Sequence, residues 1–123
     1  MIMLNHTVIP AKDKDSAAQF FAELFGLTYK PSDEHFATVY VNDDLMFDFD
    51  TRDSFEWHHY AFHVSEEVFD AIWGRVKAKG LPYGSGPMAR EDMAINHLKG
   101  GRGVYFEDTN GHVYELLTVR HDL

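Results

Sequence analysis

The hydrophobic positions fall in short runs whose spacing switches between that of strands and that of helices. Residues 4–9 read as a strand. Asp13 to Ser16 then offer N-cap residues ahead of an apolar series at Ala17, Phe20, Phe21, Leu24 and Phe25, the three-and-four spacing of one helix face, which Gly26 stops. The same order returns in the second half. Residues 59–64 are strand-like, Ser65 is a cap, and Glu66 and Glu67 suit the positive end of a helix; Val68, Phe69, Ile72, Trp73 and Val76 recur at helical spacing until Lys77, Lys79 and Gly80 close it.

After each helix one phrase returns, Gly26-Leu27-Thr28-Tyr29 and Gly80-Leu81-Pro82-Tyr83, 54 residues apart. Residues 37–41 and 45–50 then read as strands around Asn42-Asp43-Asp44. Residues 103–107 and 113–119 do so around Asp108-Thr109-Asn110-Gly111, whose Asn-Gly pair is a strong turn signal. The pattern predicts an α+β chain of two tandem βαβββ modules, 1–53 and 54–123, within one domain, with the boundary between residues 51 and 57. One helix cannot cover both faces of its sheet, so the modules are expected to form a cupped mixed β-sheet with the helices outside and a concave ligand face within.

Composition narrows the chemistry. At 123 residues the chain has the size of one domain, and 45% hydrophobic against 25% charged residues is enough to build a core. Eleven Lys and Arg against 20 Asp and Glu give a net charge of -9, which repels phosphate backbones and anionic lipid, so no nucleic acid or membrane partner is expected. The absence of cysteine excludes disulfides, thiolate metal sites and cysteine nucleophiles, and leaves nitrogen and oxygen ligands, with eight histidines to supply the former. The apolar run over residues 1–10 is too short for a signal peptide or a span, and a cytoplasmic location is the expectation.

Side chains alternate along a strand, so His6 shares a face with Leu4 and Val8, His59 with Ala61 and His63, and Glu115 with Val113 and Leu117. Each is a polar residue among apolar neighbours. His6 and His59 lie 53 residues apart, nearly the module offset. If these faces are the inner ones, two imidazoles and a carboxylate converge in a semi-apolar cup as an open divalent-metal site. Taken singly, a strand histidine is more often a hydrogen-bonded residue than a ligand; the shared placement favours one site.

These pieces resemble the vicinal oxygen chelate superfamily of glyoxalases, extradiol dioxygenases, fosfomycin-resistance thiol transferases and bleomycin-binding proteins. The resemblance spans nearly the whole chain: Leu4-Asn5-His6, Phe20-Phe21, Leu24-Phe25-Gly26-Leu27, His59-Tyr60-Ala61-Phe62, and Asp108-Thr109-Asn110-Gly111-His112-Val113-Tyr114-Glu115. It implies His6, His59 and Glu115 as metal ligands to one divalent ion (Fe, Ni, Zn, Mn or Co), a small-molecule substrate, and a homodimer. It also places Asp48 nearest the position of a fourth ligand or a carboxylate base, with Asp50 as its same-face neighbour.

His63 shares His59's face two residues on, about 7 Å along the strand, and is a candidate general base; a packed histidine is the equal alternative, and His58, pointing oppositely, is expected to be exposed. The long segment 82–103 is a candidate lid, with His97 and Arg102 as contacts to an anionic or oxygen-rich substrate. Tyr105 is either a substrate contact or a packed aromatic. The function expected is a metal-dependent enzyme of the glyoxalase or dioxygenase type that chelates a substrate through two vicinal oxygens. Fosfomycin opening is disfavoured because Val8 replaces the hydroxyl-bearing residue of those transferases and Lys99-Gly100-Gly101-Arg102 replaces their potassium loop. The alternative is a non-catalytic drug-binding protein of the bleomycin-resistance type.

Overall fold

The computed structural model describes residues 1–122, which fall into two compact units, residues 1–56 and 57–122. The first unit runs β1 (His6–Ala11), α1 (Lys14–Phe25), β2 (Thr28–Lys30), β3 (Ala37–Tyr40) and β4 (Met46–Thr51). The helix starts where the Asp13 carboxylate accepts the Ser16 N–H at 2.9 Å, and it stops at Gly26, whose left-handed φ of 70° returns its N–H to the Ala22 carbonyl. The sheet order is β1-β4-β3-β2, with β1 parallel to β4 and the other pairs antiparallel.

One face of this sheet, with Ile9, Ala11, Ala37, Val39, Phe47 and Phe49, is buried together with Ala17, Ala18, Phe21 and Phe25 of α1. Phe21 stacks on Phe25 at 4.3 Å and on Phe47 at 5.1 Å, and each such ring contributes about 1.5–3 kcal/mol by burial. The first strand begins two residues later than its sequence pattern suggests, because its ladder with β4 opens at His6 opposite Met46; Leu4 is exposed ahead of it. Pro10 is tolerated within β1 because this strand is terminal in its sheet.

The second unit repeats the plan with β5 (His59–His63), α2 (Glu66–Ala78), β6 (Tyr83–Gly84), β7 (Gly103–Glu107) and β8 (Val113–Leu117) in the order β5-β8-β7-β6. Ser65 caps α2 by accepting the Val68 N–H at 3.2 Å, Glu66 and Glu67 occupy the first turn, and Arg75 and Lys77 the last. Phe69, Ile72 and Val76 are buried, as are Val104, Phe106, Tyr114 and Leu116 of the sheet. Val68, counted with the apolar face in sequence, is exposed, and Trp73 instead packs edge-on against Tyr83. The chain is thus α+β, with two βαβββ modules that each form a four-stranded mixed sheet with one helix. β8 ends at Leu117, where β5 also ends, rather than at 119; Thr118 turns to accept the Arg102 N–H at 2.8 Å.

The long segment after β6 is tied down at both ends. Asp92 accepts the backbone N–H groups of Ser85 and Ala94 and the Ser85 hydroxyl, and the Asn96 side-chain amide donates to the Ser85 carbonyl at 2.9 Å. Gly84 lets this segment lie directly on β6, since a Cβ there would stand 1.8 Å from the Ala89 carbonyl oxygen. No helix among the described residues is long and apolar enough to cross a membrane.

Candidate functional site

In each unit the face turned away from the core carries the polar residues. In the second unit, register sets His59 beside Val113 and Glu107 in one row, Ala61, Glu115 and Tyr105 in the next, and His63, Leu117 and Gly103 in the third. His59 Nε2 stands 2.9 Å from Glu115 Oε1. The Glu115 side chain is only 5% exposed whereas that of His59 is 40% exposed, so a buried carboxylate is reached through an accessible imidazole. Tyr105 flanks the pair with its ring 5.9 Å from that of His59. Burial, then the charge of Glu115, pushes the Tyr105 hydroxyl up to about 12, which keeps it a proton donor at neutral pH.

Among the described residues the other oxygen of Glu115, Oε2, is buried with no hydrogen bond of good geometry, although the Tyr105 hydroxyl lies close enough to this carboxylate for their interaction to add to the rise of its pKa. An ionised carboxylate left half satisfied in a buried position is costly unless a cation joins it. Ligand atoms bound at about 2.1 Å and viewed at right angles lie about 3 Å apart. The 2.9 Å separation of His59 Nε2 and Glu115 Oε1 equals that edge, and the hard-oxygen and imidazole donors suit a first-row divalent ion; without metal the contact is an Nε2–H donation to Oε1, and coordination replaces that proton with the ion. These two residues fit a metal.

The first unit has the same layout with different bonds. His6 leads its row, and Asp48 stands one row on, between Val8 and Thr38, as Glu115 stands between Ala61 and Tyr105. His6 is exposed, and its Nδ1 lies 2.7 Å from Asn5 Oδ1; with the amide oxygen accepting, the ring proton sits on Nδ1 and the lone pair on Nε2, the form a metal ligand needs. Asp48 accepts the Thr38 hydroxyl at 2.7 Å through Oδ1, and Asp50 pairs with Arg52 at 3.1 Å. Among the described residues no three His, Asp or Glu side chains stand close enough together to hold a metal, so His59 and Glu115 are the two candidate ligands that meet.

The remaining candidates are placed as follows. His63 lies 3.2 Å from the Thr118 carbonyl through Nε2, so the proton is there and the Nδ1 lone pair is the basic one. His97 is exposed ahead of the short 3-10 turn Leu98–Gly100. Arg102 reaches α2, pairing with Glu66 at 2.6 Å and Asp70 at 2.8 Å while its guanidinium lies 4.4 Å from the centre of the Phe69 ring. A cleft of about 410 Å³ opens between the loop residues 87–92 and Glu107, where Arg90 lies 5.8 Å from the ring of Trp57. His58, expected to be exposed, is half-buried with its ring 5.1 Å from that of His112, and His112 is fully buried. Parity alone sets His112 on the core side with Tyr114 and Leu116, the signal that identifies it as a buried polar residue.

No protein-family model and no curated protein matches the chain. Solved structures do. The chain is 42% identical to the oxidase ChaP-H2, over 97% of this chain and 94% of that one, with a TM-score of 0.91. It is 39% identical to the oxidase ChaP-H1, over 98% of both chains, with a TM-score of 0.91. The fosfomycin resistance protein FosX from Listeria monocytogenes shares the fold, with a TM-score of 0.75 at 22% identity over 99% of this chain and 97% of that one. The identity to ChaP-H2 and ChaP-H1 over nearly the whole of each chain shows the family, and the repeated module shows the fold: this chain belongs to the same family as those two proteins and has the tandem βαβββ fold of the vicinal oxygen chelate type.

Proposed function

We propose that this protein is a metal-dependent oxidase or dioxygenase acting on a small molecule with two vicinal oxygens, with His6, His59 and Glu115 as the metal ligands. The observation that carries the reading is the buried Glu115 carboxylate, whose Oε2 has no hydrogen bond of good geometry among the described residues, beside the His59 imidazole. The 42% identity to an oxidase favours chemistry with dioxygen over the lyase branch of the superfamily. A divalent ion bound there supplies Lewis-acid polarisation of the two substrate oxygens and, if it is iron, redox chemistry with dioxygen.

The chain's own groups do the rest. The protonated Tyr105 hydroxyl donates to a substrate oxygen next to Glu115. His63, whose Nε2 proton is committed to Thr118, takes a substrate proton at Nδ1. Asp48, held by Thr38, is the carboxylate base or fourth ligand. The Asn5 amide keeps His6 in the tautomer that coordinates through Nε2. His97 and Arg102 complete the substrate contacts in this reading, Arg102 only by leaving its ion pairs with Glu66 and Asp70 on α2; an unchanged KM in a His97→Ala, Arg102→Ala double variant removes them from it.

The test is elemental analysis of tag-free protein, with oxygen uptake measured against a panel of catechols after reconstitution with Fe(II). The expected result is near one metal per protomer, lost in a His6→Ala, His59→Ala variant, and oxygen consumption that follows the metal. Protein that holds none of Fe, Ni, Zn, Mn or Co after reconstitution overturns the enzyme reading and leaves small-molecule binding without catalysis. The homodimer belongs to the same proposal. Mixing inactive His6→Ala and His59→Ala chains restores activity if each site draws on two copies, and light scattering reads the assembly directly.

A further inference from the structure

His112 is fully buried and takes no part in the chemistry above. Its Nδ1 accepts the His58 backbone N–H at 2.8 Å, so the ring proton is on Nε2. The His58 carbonyl in turn accepts the Val113 N–H at 2.9 Å. The backbone donor and acceptor of the residue just before His59 are thus both bonded to the pair of residues that leads into the Glu115 strand.

The imidazole is itself fixed. Asp108 Oδ1 accepts the N–H groups of His112 and Asn110, each at 2.9 Å, Asp108 Oδ2 accepts the Tyr114 hydroxyl at 3.1 Å, and the Asp108 N–H donates to the His112 carbonyl at 3.1 Å. The ring lies 5.1 Å from the His58 ring and 6.2 Å from that of Tyr60, centre to centre. His58 Nδ1 and the Tyr60 hydroxyl stand 2.6 Å apart.

This network addresses a specific weakness. β5 is the terminal strand of its sheet, and its ladder partner there is β8, in a parallel pairing that no hairpin sets. A slip of one residue would turn His59 to the opposite face and separate it from Glu115. We propose that His112 is the positioning residue of the candidate site: its Nδ1 locks the start of β5 against β8 and so holds His59 Nε2 on the Glu115 carboxylate.

The inference rests on the metal reading of His59 and Glu115, and the experiment separates the two. His112→Leu keeps an apolar side chain of similar bulk but removes the acceptor; His112→Asn returns an amide oxygen near the place of Nδ1. In metal-free protein the His58 amide should lose hydrogen-exchange protection in the Leu variant and keep it in the Asn variant. Co(II) affinity, followed by absorbance, should fall about 10- to 100-fold in the Leu variant, the usual effect of losing a ligand's supporting bond, and recover to within about threefold in the Asn variant. Equal losses in both variants, or an unchanged affinity in the Leu variant, overturn the proposal. If the parent chain takes up no Co(II), the metal reading fails, and crystals of the metal-free variants decide the positioning role alone. A His59–Glu115 separation beyond about 3.5 Å in the Leu variant only supports it, and 2.9 Å in both variants overturns it. Should the Leu variant not fold, His112→Gln, whose amide oxygen falls nearer Nε2, supplies the same contrast with Asn.

Discussion

The two units share a ground plan down to the rows of their open faces, yet they treat it differently. In the first, the leading histidine bonds to Asn5 and the carboxylate one row on, Asp48, bonds to Thr38. In the second, the corresponding histidine and carboxylate bond to each other, and the carboxylate is buried with one oxygen left over. A polar pair whose partners are all present is a finished structure. One that is buried and incomplete favours a cation, and that separates a candidate ligand from an equivalent position in the other repeat.

The largest test of this contrast is Glu115→Gln against Asp48→Asn. The first should drop metal content from near one per protomer to near zero by elemental analysis. The second should keep the metal and lower only turnover; equal loss of metal would make Asp48 a ligand and erase the asymmetry. Metal at a hundredfold excess over its Kd should stabilise the parent by about 2.7 kcal/mol and leave Glu115→Gln unmoved.

Removing Phe21, the ring at the centre of the first unit's core, should cost about 3–5 kcal/mol in denaturant unfolding without touching the His59–Glu115 pair. Alkaline pH sharpens the comparison further. Tyr29 in the first unit is raised to about 12, chiefly by its bond to Asp15. In the second, burial raises Tyr60 and Tyr105 to about 12 and Tyr114 well above its ordinary value. The folded chain keeps these protons where the unfolded chain, titrating near pH 10, loses them. The stability they contribute is therefore full below pH 10 and lost as pH rises toward 12. Melting temperature should fall steeply across that window, and Tyr60→Phe with Tyr105→Phe should flatten the fall more than Tyr29→Phe. The smallest effect is expected at Arg102→Ala, about 1 kcal/mol and reduced by salt, because its partners Glu66 and Asp70 are largely exposed.

The elements whose physics is local are legible in the sequence. Asp13 and Gly26 bound α1 because a cap acceptor and a left-handed stop act within one turn, and Asn110-Gly111 marks its turn because Gly111 takes a φ of 87°. Period-2 parity says which neighbours His59 and Glu115 share a face with, while the parallel ladder of β5 with β8 is what brings the two together. What parity cannot show is which partner a side chain chooses. Arg102 faces α2 because Glu66 and Asp70 lie one helical turn apart on that surface, a tertiary match invisible along the chain. His58 looks exposed until the buried ring of His112 is set beside it. The true start of β1 depends on where β4 pairs with it, since residues 4–9 carry the same strand-like signal as the bonded segment.

The anchoring of the segment after β6 has a practical consequence for redesign. Gly84, Asp92, Asn96 and Gly103 behave as fixed mounting points: a side chain at Gly84 would strike the Ala89 carbonyl, and one at Gly103 would strike the Asn96 amide. The stretches between these mounts, including the exposed Met88, are the places where a library of altered sequences and lengths can be displayed with the sheet beneath untouched. The segment can be handled as an exchangeable cassette, provided those four positions are carried over unaltered.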